Sequence, residues 1–138
     1  MSFFAFIQSK TQKQTLKMSE KKDKVEIVRQ SEINVRVGLD KTNVPVSMKW
    51  QATDSPYKDG QDCKAIMLSI WDEAAKQSLR IDLWTKEMTI EEMQFFFFET
   101  FMTMSGTYLK ATNDAEMSEK MKLFARDFAM HTKIHQKK

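Results

Sequence analysis

The chain has little of the residues that break or cross-link a fold. Its 138 residues include 3 Gly, 2 Pro and one cysteine, Cys63. Few glycines and prolines indicate few tight turns and long regular elements. A single cysteine excludes an intramolecular disulfide, which suits a reducing compartment and predicts a cytoplasmic protein. No apolar run approaches the roughly 18 residues that cross a bilayer, so no membrane insertion is expected.

The formal net charge of the chain is +3, but residues 18–138 carry no excess of positive charge. Residues 1–17 carry three lysines and no acid, whereas residues 18–138 hold 19 basic and 19 acidic residues. A neutral body does not build the positive field that attracts a polyanion. We therefore expect no nucleic acid partner.

Residues 1–30 are predicted to form a disordered, basic N-terminal extension and linker. The apolar run Phe3–Ile7 is shorter than the h-region of a signal peptide, which has about 7–15 residues, and its lysines follow it instead of preceding it. The stretch could precede a natural start at Met18, and a targeting role is the alternative. The charge-rich residues 18–30 are typical of a solvated linker.

Two alternating segments predict a first β-hairpin. Apolar and polar residues alternate over 33–39 and again over 44–50, which is the period of a strand with one wet face. Pairing Leu39 with Val44 keeps both apolar sets on one side of the hairpin. Residues 52–62 contain proline, glycine and three aspartates without the spacing of a calcium loop, so an ordinary polar loop is expected.

A second pair of strands is predicted over residues 64–71 and 79–84. The first is apolar on both faces, as in a central strand. Pairing Ile70 with Leu79 keeps the aliphatic side chains of the two strands together. The predicted core face contains Ile33, Val35, Val37, Val46, Met48, Trp50, Ile66, Leu68, Ile70, Leu79, Ile81 and Leu83. The opposite face carries five side chains without a core position: Met67, Trp71, Arg80, Asp82 and Trp84.

Two helices are predicted after the strands. Thr89 and Glu92 have the spacing of a capping box, and the first helix runs to about Lys110. Asn113 with the glutamate three residues later marks the start of the second helix, which runs to about Lys133. Both have apolar stripes at helical spacing. The stripe residues are Met93, Phe97, Phe101, Met104 and Tyr108 in the first helix, and Met117, Met121, Phe124 and Phe128 in the second.

The order of elements predicts an α+β fold. Residues 31–133 are expected to form a single two-layer domain, with a frayed tail at 134–138. A four-stranded, meander-like antiparallel sheet is followed by two helices packed on one of its faces. This order, four strands and then two helices, resembles the topology of the SecB export chaperone.

Catalytic constellations are hard to find in the sequence. His131 and His135 would share a helix face at metal-ligand spacing, but no cysteine or carboxylate in a recognisable pattern completes a site. Cys63 has no histidine nearby in sequence. Nucleophile elbows, phosphate-binding glycine loops and metalloprotease helices are also missing from the sequence. We therefore expect a protein that is not an enzyme and that uses no cofactor or metal.

The face with two tryptophans is a candidate partner surface, formed by Met67, Trp71, Arg80, Asp82 and Trp84. An exposed apolar patch rimmed by charge often marks a protein interface, and Trp and Arg are typical anchors of such interfaces. The alternative is that the face is covered by the 52–62 loop, by residues 18–30 or by a second copy of the chain.

Three motifs carry a family resemblance. They are Trp50-Gln51-Ala52-Thr53-Asp54, Cys63-Lys64-Ala65 and Leu79-Arg80-Ile81-Asp82-Leu83-Trp84-Thr85-Lys86. In their order along the chain and in their residues, they resemble the motifs of the small GldC-like proteins associated with gliding motility in surface-moving bacteria. The resemblance covers about residues 31–133. It implies a small cytoplasmic protein that supports gliding through protein partners of the gliding machinery or through self-association, with no assigned catalytic residues.

Three function classes remain open. An accessory or adaptor protein of the gliding machinery predicts a stable protein partner. A holdase-like or assembly factor, suggested by the SecB-like order of elements alone, predicts a homo-oligomer with apolar grooves. A small-molecule binder or enzyme predicts a concave pocket with converging polar groups.

Overall fold

The computed structural model describes residues 25–134, and its internal contacts divide the chain between Ser31 and Glu32. Residues 25–31 are exposed and contain no helix or strand. The predictions for residues 1–24 and for the tail at 135–138 lie outside the described residues. The second unit contains β1 (Ile33–Leu39), β2 (Pro45–Ala52), β3 (Gln61–Cys63), β4 (Ala65–Asp72), β5 (Gln77–Trp84), α1 (Ile90–Thr112) and α2 (Ala115–Thr132).

The α+β class is confirmed, but the sheet is divided in two. A three-stranded sheet has the order β1-β2-β3, a two-stranded sheet consists of β4 and β5, and all pairs are antiparallel. The prediction of one four-stranded sheet is therefore wrong in this detail. The cause is a bend at Lys64: residues 61–63 pair with β2, and residues 65–72 pair with β5.

The short strand β3 lies in the segment that was expected to be loop. Gly60, at φ +76°, precedes it in a backbone conformation that side chains rarely adopt. A Cβ atom at Gly60 would also lie 2.9 Å from Trp50 O. The glycine therefore allows the chain to turn close against β2 and to pair Trp50 with Gln61.

The first hairpin forms as predicted, with a different register at its turn. Leu39 lies opposite Pro45, not Val44, and the register shifts between Gly38 and Leu39. The Asp40 carboxylate stabilises this turn, because its Oδ1 accepts a hydrogen bond from the backbone N–H of Val44 at 3.1 Å. Since the predicted and observed registers differ by two residues along most of the hairpin, the same side chains still share a face.

Asp40 also ties the first hairpin to the segment after β5. Its carboxylate accepts a hydrogen bond from the Lys86 ammonium, and Lys86 N donates to Pro45 O at 3.2 Å. The Lys86 contact, followed by hydrogen bonds from Thr42, holds the pKa of Asp40 well below its ordinary range. These bonds join the base of the β4–β5 hairpin to the start of β2.

The predicted capping box starts α1. Thr89 Oγ1 accepts from Glu92 N at 3.1 Å, and Glu92 Oε2 accepts from Thr89 N at 2.9 Å. The Lys64 ammonium donates to Glu92 Oε1 at 2.7 Å. The Lys64 hydrogen bond, and then the Thr89 backbone, lower the pKa of Glu92 to about 2 from an ordinary value of 4.5. One carboxylate thus caps the helix and links it to the bend before β4.

We expect the variant Glu92→Gln to be less stable than wild type only where the carboxylate is ionised. A depressed pKa in the fold contributes stability above the unfolded pKa, and that stability is lost as pH falls. The difference in free energy of unfolding should be full above pH 4.5 and should vanish near pH 2. Urea unfolding across this range measures it. Glu91→Gln removes a charge from the same turn and is the control; equal pH profiles for both variants would contradict the assignment.

The connection between the helices differs from the sequence prediction by one residue. Asn113, predicted to cap the start of the second helix, instead ends α1 with φ 58°, and its N–H donates to Leu109 O at 2.8 Å. Asp114 is the N-cap of α2 and accepts from Met117 N at 2.9 Å. Asn tolerates the left-handed conformation that ends a helix, and Asp is a favoured N-cap.

The two helices pack chiefly on each other. Their closest contact is made by small side chains: Ser105 and Ala125 are fully buried, Ser118 is 1% exposed, and Ser118 Oγ donates to Ser105 O at 2.9 Å. Beside this contact four aromatic rings interlock, with centroid separations from 5.3 to 6.5 Å. The rings belong to Phe97, Phe101, Phe124 and Phe128.

The predicted core face is not buried within the single chain. Among the described residues, the buried apolar side chains are Met48, 2% exposed, and Ala125. Seven of the predicted core side chains are between 41% and 78% exposed: Ile33, Val35, Val46, Leu68, Ile70, Leu79 and Ile81. The prediction is wrong for these seven, because a sheet that divides at Lys64 presents no continuous face for a helix layer to cover.

Candidate protein-interaction surface

The β4–β5 hairpin, here called the arm, has the register that its sequence predicts. Ile70 lies opposite Leu79, and Met67 lies opposite Asp82, without any shift along eight paired residues. Because side chains alternate between the faces of a strand, the arm has two chemically different sides. Its aliphatic face consists of Ile66, Leu68, Ile70, Leu79, Ile81 and Leu83. Its tryptophan face includes Met67, Trp71, Arg80, Asp82 and Trp84.

The tryptophan face brings the five predicted residues together and leaves most of them exposed. Trp71 and Trp84 are 65% and 55% exposed, and Met67, at the centre of β4, is half-buried. Trp84 lies across from Ala65, so a small neighbour leaves one side of its ring uncovered. The alternative that the 52–62 loop covers this face is wrong for both tryptophans within the described chain.

The charged members of this face pair with each other. Arg80 and Asp82 are two residues apart on β5 and point to the same side, and Arg80 Nη2 lies 3.1 Å from Asp82 Oδ1. Both are exposed, so the ion pair contributes little to stability. The ion pair holds the Arg80 guanidinium at a level of the arm between Trp84 at its base and Trp71 near its tip. The surface therefore combines large apolar side chains with an oriented, electrically neutral pair.

A narrow cleft separates the base of the tryptophan face from the first turns of α1. Its volume is about 160 Å³, and its walls include Met67 and Trp84 from the arm and Met93 and Phe96 from the helix. Ligand sites usually occupy about 300–1,000 Å³. The cleft is too small for a typical cofactor, and it leaves the outer parts of both tryptophans open to a larger partner.

A second apolar surface lies on the helix pair, where sequence reasoning expected core. A groove of about 300 Å³ is lined by Phe101, Met104, Lys120, Met121 and Phe124. Met104 is 51% and Phe124 58% exposed. The stripes of the two helices were visible in the sequence, but their spacing alone does not show whether a sheet covers them. This groove is a second candidate protein-interaction surface.

The residues considered for chemistry do not converge. Cys63 is half-buried, and burial, followed by the charge of Asp62, raises the pKa of its thiol. His131 is exposed at the end of α2, and His135 lies outside the described residues. Within residues 25–134, no group of three or more His, Cys, Asp or Glu side chains is arranged to hold a metal ion. Over the same range neither helix is long and apolar enough to cross a bilayer.

Comparison with known proteins gives one family. A family model described as gliding motility-associated protein GldC-like matches residues 45–134. The match begins at β2 and extends past the end of α2, so it includes the whole arm and both helices. Comparisons with curated proteins and with solved structures give no match.

Proposed function

We propose, because the chain belongs to the GldC-like family of gliding motility-associated proteins, that it is a non-catalytic accessory or adaptor protein of bacterial gliding. It acts through protein–protein contacts, and its main contact surface is the tryptophan face. The observation that carries the proposal is the exposure of Trp71 and Trp84, at 65% and 55%, on one face of the arm.

Large aromatic side chains on a paired strand suit a binding role. Trp and Arg dominate the few residues that supply most interface energy, and they do so once a partner excludes water from them. Arg80 is already oriented by Asp82, so its ordering upon binding costs less entropy. A partner that covers both indoles would gain apolar burial without rearranging the arm.

We propose that the protein works in the cytoplasm without a cofactor, without a metal and without nucleic acid. Support comes from the single thiol of Cys63, which fits a reducing compartment, and from the neutral charge balance of residues 18–138. The half-buried thiol has a raised pKa, which disfavours the reactive thiolate.

Trp84→Ala should weaken capture of a protein partner from a gliding cell. Truncation of an interface anchor typically costs at least about 2 kcal/mol, roughly 30-fold in Kd. The tagged variant should therefore retain much less partner than tagged wild type in a quantitative pull-down. Phe124→Ala is the matched control, because Phe124 is 58% exposed but lies in the helix groove. If folded Trp84→Ala kept both its partners and its assembly state, the tryptophan face would not be the contact surface.

The helix groove favours a second candidate function, that of a holdase-like or assembly factor. Its lining of Phe101, Met104, Met121 and Phe124 is nearly all apolar, and such grooves accept extended apolar segments of unfolded clients. The SecB-like order expected from the sequence adds a homo-oligomer to this alternative, although the observed chain has a fifth strand and a divided sheet. A light-scattering assay of an aggregating client protein separates the two functions. The alternative expects Phe124→Ala, and not Trp84→Ala, to lose the protection.

A further inference from the structure

The outer edge of β4 presents backbone groups that no described strand satisfies. Thr85 N donates to Lys64 O at 2.8 Å, and this pair continues the register of β4 with β5. Hydrogen-bonded and non-hydrogen-bonded pairs alternate in an antiparallel ladder. The backbone N–H and C=O groups of the even-numbered residues of β4 therefore point toward β5, and those of the odd-numbered residues point to the outer edge. Among residues 25–134, no strand pairs with the other edge. The backbone groups on that edge belong to Ala65, Met67, Ser69 and Trp71.

This edge also lacks the features that normally prevent strand pairing. The segment from Ala65 to Trp71 contains no charged residue and no proline, and its ladder with β5 has no bulge. Natural edge strands are usually short, charged, bulged or covered. A two-stranded hairpin is by itself only marginally stable in water, and the arm's central aliphatic side chains, Leu68 and Ile81, are 43% and 49% exposed.

We propose that the free edge of β4 pairs antiparallel with β4 of a second copy of this chain, about a twofold axis at Leu68. The two arms then form one four-stranded sheet, β5-β4-β4-β5. Each copy contributes the same residues, as a twofold interface requires. The inference names one partner of the arm and in that respect rests on the proposed function.

Charge complementarity selects this register. A twofold axis at Leu68 places Lys64 opposite the partner's Asp72, so that two ion pairs close the ends of the shared ladder. An axis at Ser69 would place Asp72 opposite Ile66, and an axis at Met67 would place Lys64 opposite Ile70. Among these three axes, only the one at Leu68 gives Asp72 a cationic partner. Lys64, whose ammonium already donates to Glu92 Oε1 at 2.7 Å, then lies between Glu92 and the partner's Asp72.

Side-chain size and backbone direction agree with the same register. Ala65 comes to lie opposite the partner's Trp71, which pairs a small residue with one that is 65% exposed. Both residues direct their backbone groups to the free edge, so they form a hydrogen-bonded pair, and Leu68 meets its own copy in a non-hydrogen-bonded pair. Asp72 accepts from Ala75 N through Oδ1 at 2.6 Å, and its second carboxylate oxygen can accept from the partner's Lys64.

The wild-type chain tests the proposal without any substitution. Size exclusion with in-line light scattering should give twice the 16.2 kDa mass of the chain at high concentration. A mass that stays at one chain over the whole concentration range overturns the proposal, because the edge of β4 would then not pair with a second copy. This measurement uses purified protein, so it can fail while the capture experiment on the tryptophan face succeeds, and the reverse.

Disulfide trapping tests the register. In a Cys63→Ser background, Leu68→Cys should form a covalent dimer under mild oxidation, since Cα atoms of a non-hydrogen-bonded pair lie about 4.5 Å apart, within disulfide range. Ile70→Cys is the matched control: it is on the same face and 47% exposed. Its two copies would lie roughly 13 Å apart along the strands, beyond that range. We expect the dimer from Leu68→Cys to form roughly tenfold faster; equal rates, or a dimer from Ile70→Cys alone, would overturn the register.

Charge reversal tests the ion pairs in the same cross-linking assay. In the Cys63→Ser/Leu68→Cys chain, Asp72→Lys alone places like charges at both ends of the ladder and should slow trapping several-fold. Lys64→Glu does the same, but because it also faces Glu92 it is combined with Glu92→Gln. An equal mixture of the two variants restores both attractive pairs in the mixed dimer, so trapping should recover. Failure of the mixture to recover, with both variants folded by circular dichroism, would contradict the pairing of Lys64 with the partner's Asp72.

Discussion

Truncation of Met48 to alanine is expected to cost about 2–5 kcal/mol of the free energy of unfolding. Met48 is 2% exposed in β2, the central strand of the three-stranded sheet, between Val37 in β1 and Cys63 in β3. Removing its thioether chain would leave a cavity next to both neighbouring strands. The measurement is urea unfolding of the variant and of wild type, at matched protein concentration because the chain is proposed to self-associate.

Val46→Ala is the control for this prediction. Val46 lies two residues earlier in β2, where the register shifts, and is 45% exposed. Exposed substitutions usually change stability by less than about 0.5 kcal/mol. If Met48→Ala and Val46→Ala cost the same, the three-stranded sheet is packed differently from the structure described here.

The contrast between Met48 and Leu68 explains how far the sequence predicts this fold. Alternation at period two placed both residues on the predicted core face, which is right for Met48 and wrong for Leu68. Alternation does not distinguish a face covered by the same chain from one left open. Met48 is buried in the central strand of a sheet, whereas Leu68, 43% exposed, lies in a hairpin with no third strand.

The predictions that rest on residues close together in the chain were the most accurate. The capping box of Thr89 and Glu92 and the pairing of Ile70 with Leu79 depend on residues close in the chain, and both are present. The bend at Lys64 depends instead on competition between β2 and β5 for one continuous segment. Nothing in the alternation of that segment marks where one partner strand gives way to the other.

The candidate surface was predictable in composition but not in its surroundings. The register of the second strand pair already placed Trp71 and Trp84 on one face with Arg80. That the outer part of the arm is open, and that Phe124 borders a groove, follows only from the way the helices pack chiefly on each other. A chain with this much uncovered apolar surface is expected to meet other chains, which connects the fold to its family's association with gliding.

The loss of gliding by Trp84→Ala is the second large effect that we expect. Trp84 is 55% exposed on the arm, so its truncation removes contact area without opening a buried core. Phe124, 58% exposed on the helix pair, gives an aromatic truncation of similar exposure on a different surface. Phe124 also packs on the ring of Phe101 at 5.3 Å, so circular dichroism must show that both variants are folded before they are compared.

The most direct measurement is the gliding of cells in which either variant replaces the wild-type protein at the same cellular level. The central claim, that the tryptophan face of the arm makes the contacts that support gliding, predicts that Trp84→Ala cells stop spreading and that Phe124→Ala cells glide as wild type does. Cells that glide normally with Trp84→Ala protein present at the wild-type level would contradict it.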